Sequence, residues 1–132
     1  MKKFVAVLVF VFLFLAASVW ADNALTVVSG TKASSGNNTL ISAPAAGNCI
    51  VIHKVQIQNE SSTSTVIKLL AGATQIYQAE LKAEGSGVII DCDKSDADAP
   101  KWKLPPAIAL VLNLSGANSH NYTVWYSLER IR

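Results

Sequence analysis

The stretch CIVIHKVQIQ, residues 49–58, decides the fold class, because its second half, from Lys54 to Gln58, alternates between polar and apolar residues with a period of two. Val51, His53, Val55 and Ile57 fall on one face of an extended chain, and the Lys and Gln residues between them fall on the other. One apolar and one polar face are typical of strands in antiparallel sheets that bury a single side. The sequence therefore predicts a long, half-buried β-strand here.

Segments with strand character also precede and follow this stretch, and residues that favour turns separate them. The predicted strands cover residues 24–29, 39–42, 49–58, 65–70, 75–80, 87–91, 107–114 and 121–131. Clusters of Gly, Pro, Asn and Ser lie between them, and no window has a helical period long enough to compete. We expect an all-β fold, a two-sheet antiparallel β-sandwich of jelly-roll or Greek-key type, with a closed barrel as the alternative.

The first 21 residues have the layout of a secretory signal peptide. Lys2 and Lys3 precede an apolar run of 14 residues, and small residues lead to Ala21. This run is shorter than the roughly 20 residues of a membrane-spanning helix. We predict cleavage after Ala21, which leaves one domain of residues 22–132 with no membrane span, in the periplasm, on the cell surface or outside the cell. A retained anchor is the alternative.

Composition and charge narrow the function classes. The chain is 51% hydrophobic with a mean hydropathy of +0.34, and the leader supplies much of this excess. Eleven basic residues, two of them in the leader, face nine acidic residues, so the exported chain has no net charge. This balance argues against a nucleic-acid binder driven by electrostatics. A domain of this size has room for one modest core.

Cys49 and Cys92 are the only cysteines. In an exported chain they predict a disulfide, which the chain-entropy model values at roughly 4 kcal/mol. Two buried thiols are the alternative. Metal binding by the two cysteines is less favoured, because zinc would need further ligands that the sequence does not place near them.

Catalytic chemistry has few candidates. His53 and His120 are the only histidines; we expect His53 to be a hydrogen-bonded core or interface residue and His120 to lie exposed in a loop. The sequence contains no nucleophile elbow, zinc-binding helix pair or phosphate-binding loop. We therefore predict no catalytic residues and no enzyme activity.

An acidic segment is the sharpest local feature, with carboxylates at Asp91, Asp93, Asp96 and Asp98. Loops rich in oxygen ligands hold calcium, so these four residues are the predicted ligands if a site exists. The pattern departs from a calcium loop, because its sixth position is Asp96 rather than Gly. A solvated, charge-balanced loop is the alternative, and no other cofactor is indicated.

Two tryptophans could contact a ligand or partner. Trp102 lies between two lysines in a predicted loop, and Trp125 lies on the strand face opposite Tyr122 and Tyr126. An exposed aromatic ring stacks on sugars or anchors a protein partner. The alternative for both is packing inside the sandwich.

Two segments are candidate assembly strands. Ile108, Leu110 and Leu112 belong to a run that is apolar on both faces, which predicts a central strand or a subunit contact. Leu25 and Val27 belong to a short apolar segment at the start of the exported chain, which could pair with a neighbour's sheet edge.

From residue 49 to residue 128 the order of features resembles small β-sandwich modules of phage and prophage virion surfaces. The pieces that carry this resemblance are HKVQI (53–57), VIKLLAGAT (66–74), LKAEGSGVII (81–90), ALVLNLSG (109–116) and YTVWY (122–126). The resemblance implies a non-enzymatic decoration, fibre or attachment role. Virion proteins usually assemble in the cytoplasm, so the export signal fits a surface or fibre subunit better.

These features together predict a secreted, non-enzymatic structural or adhesive subunit. We expect it to form a homo-oligomer or to attach to a surface protein or glycan. A secreted glycan- or calcium-binding module is the alternative.

Overall fold

The computed structural model describes residues 24–92 and 102–131, and within these ranges the chain forms nine strands. They are β1 (Thr26–Lys32), β2 (Gly36–Ile41), β3 (Asn48–Asn59), β4 (Thr65–Ala71), β5 (Thr74–Leu81), β6 (Gly87–Asp91), β7 (Trp102–Lys103), β8 (Leu110–Leu114) and β9 (His120–Arg130). No helix in the described part of the chain is long and apolar enough to cross a membrane. The predicted signal peptide lies outside the described residues.

The strands form two antiparallel sheets. Sheet A has the order β1-β9-β3-β6, with the short β7 also paired to β3, and sheet B has the order β2-β8-β4-β5. Without β7, this is the strand order of a jelly roll, in which the chain passes back and forth between two facing sheets. The predicted all-β sandwich is confirmed.

The core lies between the sheets and follows the alternation of the strands. Ile57 and Val124 from sheet A and Leu69 and Leu112 from sheet B have no exposed surface. In β9 the inner face carries Tyr122, Val124 and Tyr126, as the sequence predicts. One apolar face on each sheet is what holds two such sheets together.

The predicted face of β3 is correct only for its second half. Val55 and Ile57 are buried, but in the first half the buried pair is Ile50 and Ile52 rather than Val51 and His53. The register of β3 against β9 shifts between Ile52 and Lys54, which marks a β-bulge. An extra residue in one strand moves the side chains that follow it to the opposite face, and simple alternation does not reveal this.

The double apolar character of β8 has an internal cause. This strand lies between β2 and β4, and Leu110 and Leu112 have no exposed surface because they point into the core. Val111, on the other face, is only 9% exposed. Ile108 precedes the strand and contacts the position of Gly72. The central strand is thus confirmed, and burial within the chain explains the apolar character of Leu110 and Leu112 without a subunit contact.

The predicted disulfide is not present in this structure. Cys49 and Cys92 are both buried, and no bond joins them. The backbone N–H of Cys92 donates to the oxygen of His53, four residues along β3 from Cys49. Four residues of strand span about 13 Å, whereas a disulfide needs Cα atoms within about 7 Å. The Cys49 thiol instead donates to the Glu129 backbone oxygen at 3.4 Å.

Candidate interaction site at the sandwich edge

Strand β1 is an edge strand of sheet A. Among the residues that the structure describes, it pairs with β9 alone, from Thr26↔Tyr126 to Lys32↔His120. Before it Leu25 is 61% exposed, and within it Val27 is 53% exposed. Because β1 pairs with β9 of the same chain, this segment forms a strand without a partner molecule. Its outer edge remains available for a further strand, as edge strands are.

Strand β2 is the neighbouring edge of sheet B, and an apolar cleft lies between the sheets at this side. The cleft has a volume of about 280 Å³. It is lined by Val28, Leu40, Ile41, Ser42, Pro44, Tyr126 and Leu128. None of these side chains is charged, and Leu128 is 38% exposed. We call β1, β2 and this cleft the open side.

The open side differs in charge from the opposite side of the sandwich. Residues 24–47 build both of its edges and contain one charged residue, Lys32. The opposite edges, β5 and β6, contain Glu80 and Asp91, and the turn between them adds exposed Lys82 and Glu84. Proteins use charged residues to keep sheet edges apart, so the open side lacks a protection that the other side has. Leu25 and Val27 are predictable from their sequence as assembly residues, whereas β2 and the cleft are not. The long uncharged run of residues 24–47 is the sequence signal that points to them.

Trp125 lies on the outer face of sheet A, in the strand next to β1. It pairs with Val27 on one side and Lys54 on the other. The Lys54 ammonium lies 5.1 Å from the centre of the Trp125 ring, within the range of a cation–π contact. Thr123 and Gln56 occupy the adjacent row of the same face. The predicted outward position of Trp125 is therefore observed.

Trp102 is not in a loop. It lies in β7 opposite Ile52, and its ring packs against the core. The ring centre is 6.0 Å from that of Tyr77 in β5, with a tilt of 52°. Trp102 therefore joins the two sheets at the side of β5 and β7, which matches the packing alternative rather than a ligand platform.

His53 forms a pair with a serine on β9. Its Nε2 lies 2.9 Å from the Ser127 hydroxyl oxygen, the spacing of a nucleophile and its base. Ser127 is only 7% exposed, however, so its hydroxyl offers little room for a substrate. The arrangement is suited to holding β3 and β9 together across the bulge, as expected of a hydrogen-bonded interface histidine.

His120 is fully buried, so the prediction of an exposed loop residue is wrong. It begins β9, and its Nδ1 lies 2.7 Å from the Asn118 backbone oxygen. Because a carbonyl oxygen only accepts, Nδ1 carries the proton. Nε2 is buried with no hydrogen-bond partner. The neighbouring Asn59 is equally buried and donates to the backbone oxygens of Thr63 and Lys82, so this end of the core is polar.

One ion pair lies on the outer face of sheet A. The Lys103 ammonium donates to Glu129 Oε1 at 2.6 Å, and both side chains are about half exposed. This hydrogen bond is the main reason why the pKa of Lys103 is raised. Exposed pairs of this kind contribute little to stability.

The acidic segment can be placed only at its first residue. Asp91 ends β6 opposite Lys54, whereas Asp93, Asp96 and Asp98 lie outside the described residues. Among the residues that are described, no group of three or more His, Cys, Asp or Glu could hold a metal ion. Calcium binding by these four residues stays a prediction.

No family model and no curated protein matches the chain. Several solved structures show similarity to this chain. One is a protein of Bacillus endospore appendages, described as disulfide-linked pili, with 10% identity and a TM-score of 0.44 over 85% of this chain and 95% of that one. Another is the Dit protein of phage SPP1, described as the hub of an adsorption apparatus, with 14% identity and a TM-score of 0.44 over 79% of this chain and 48% of that one.

A third is from the virus-like particle of extra small virus of the giant freshwater prawn Macrobrachium rosenbergii. It has 13% identity and a TM-score of 0.39, over 79% of this chain and 77% of that one. Proteins of phage and virus particles are thus among the structures similar to this chain.

Proposed function

We propose that this protein is a non-enzymatic structural subunit that is exported and assembles with copies of itself through the open side. The observation that carries the proposal is the contrast in charge between the sandwich edges. Residues 24–47 place two strand edges and an apolar cleft side by side with a single charge among them. An unprotected strand edge next to exposed apolar side chains favours association with another strand.

Assembly is tested by multi-angle light scattering over a range of protein concentrations, with negative-stain microscopy of the same samples. The protein is produced from the full-length sequence. We expect a mass above that of the monomer, and Val27→Lys should lower it by placing an ammonium group on the β1 edge. Ile89→Lys is the matched control, because Ile89 is a similarly exposed apolar residue of sheet A but lies on β6. A monomer at every concentration would overturn the proposal.

Export is the second element of this proposal and has its own test. Cleavage after Ala21 leaves Asp22 at the N-terminus, so the intact mass of protein recovered from a secreting host should correspond to residues 22–132. A chain that keeps residues 1–21 would instead support a membrane anchor.

A second candidate function is glycan binding on the outer face of sheet A. The observation that favours it is the outward position of Trp125, with hydroxyl and amide side chains in the adjacent row. Binding on a glycan array that is lost in Trp125→Ala, with an unchanged melting temperature, would support this function. An array without signal from a folded protein would remove it.

A further inference from the structure

We propose that the partner on the open side is a second copy of this chain, joined by antiparallel pairing of the two β1 strands about a two-fold axis at Val27. This inference rests on the proposed function and adds its geometry. A two-fold contact uses the same patch on both copies, so it closes as a dimer and does not extend into a filament.

Strand β1 is the edge best suited to such pairing. It is uncharged from Thr26 to Thr31, whereas β5 and β6 contain Glu80 and Asp91. Strand β2 is also uncharged, but its register against β8 shifts between Thr39 and Ile41. Such irregularities twist an edge and discourage regular pairing. The β1 strand of one copy therefore finds its best match in the β1 strand of another.

The distribution of side chains along β1 places the axis. Antiparallel pairing about Val27 sets this residue opposite its own copy and sets Leu25 opposite Ser29 of the second copy. The two most exposed apolar residues of the edge then share one face of the joined sheet, and Lys32 lies beyond the paired segment. An axis at Ser29 would instead leave Leu25 outside the ladder and bring Lys32 into it.

The Val27→Cys variant tests the axis directly. Paired Cα atoms in an antiparallel ladder are about 4.5–5.5 Å apart, within the range that a disulfide bridges. Mild oxidation should therefore give covalent dimers of Val27→Cys. Thr31→Cys is the control on the same strand and face, because the two copies of residue 31 would lie about 27 Å apart. Cross-linking of Thr31→Cys but not of Val27→Cys would overturn the proposed axis.

Charge exchange at the same position tests the symmetry. Val27→Lys and Val27→Glu should each dissociate at least about tenfold more readily than the wild type, because two like charges meet at the axis and two valines lose their contact. An equimolar mixture of the two variants should regain the dimer. If the mixture stays as weak as either variant alone, Val27 does not face itself and the inference fails.

Light scattering distinguishes self-assembly in general from a closed two-fold dimer. A mass that reaches twice the monomer and stops there supports the two-fold contact. A mass that continues to grow with concentration preserves the structural subunit and overturns the closed dimer. A monomer throughout overturns both.

Discussion

Replacing Leu112 by alanine tests whether β8 belongs to the core or to a subunit contact. Leu112 has no exposed surface, and it lies on the central strand of sheet B beside Leu69, which is buried to the same degree. Leu→Ala substitutions at such sites cost about 2.7–5 kcal/mol, because the lost transfer energy adds to the cavity left behind. A domain of this size has about 5–15 kcal/mol of stability in total, so the loss is a large fraction of it.

The expected shift is easily measured. At about 4–8 °C for each kcal/mol, a loss of about 3 kcal/mol lowers the melting temperature by roughly 12–24 °C. Thermal melting and urea unfolding should be followed at one fixed protein concentration, because assembly itself would stabilise the fold. Ile89→Ala is the control, since this side chain is 61% exposed and its loss should cost less than about 0.5 kcal/mol.

Two measurements together would show that Leu112 is not a core residue. If Leu112→Ala kept the melting temperature within a few degrees of the wild type and lowered the mass of the assembly, Leu112 would be a subunit contact rather than a core residue. A lower melting temperature at an unchanged mass supports the core position.

Three further predictions follow from close contacts in the structure. Gly87→Ala should lower the free energy of unfolding in urea by about 1–3 kcal/mol, because the new Cβ would lie 2.8 Å from a β3 backbone oxygen. Gly30→Ala is the control, because its Cβ would meet only the end of a tyrosine side chain at 3.2 Å, so its unfolding free energy should stay within about 1 kcal/mol of the wild type. His120 should give the ¹⁵N shifts of the Nδ1–H tautomer, and the Nε2–H form would contradict its hydrogen bond to a backbone oxygen. The melting temperature should not change with reductant, because no disulfide joins Cys49 and Cys92; a drop of several degrees would contradict the strand register.

The sequence was sufficient for the fold class because strand alternation is a local signal. All eight predicted strands appear in the structure, and only the two-residue β7 was missed. The boundaries of β1 and β2 shifted because Gly30 and residues 36–38 were interpreted as turns. Gly30 lies in the strand, paired with Tyr122 of β9, and a side chain at this position would meet the Tyr122 ring. Contacts of this kind join residues that are distant in sequence, so composition alone does not reveal them.

The disulfide, which the structure does not show, and the exposed position of His120, which it contradicts, both depended on register. Sequence spacing tells that two cysteines could be joined, but the position at which β6 meets β3 decides whether they are close enough. His120 was assigned to a loop because Asn and Ser surround it, and its burial follows from its pairing with Lys32 and Asn59 on either side. Pairing across a sheet is set by the whole hydrophobic pattern and by its bulges, and no single segment carries that information.

The open side shows what sequence and topology each contribute. The scarcity of charge in residues 24–47 is visible in the sequence, but a run of uncharged residues has no meaning for assembly until its place in the fold is known. The jelly-roll order puts β1 at the edge of one sheet and β2 at the edge of the other, so the same run forms one continuous side of the molecule. Had these residues formed central strands, their lack of charge would be explained by burial, as it is for β8. At two adjacent edges, five of the seven β1 residues are exposed, and burial within the chain does not explain why they are uncharged. The proposed contact with another strand would explain it.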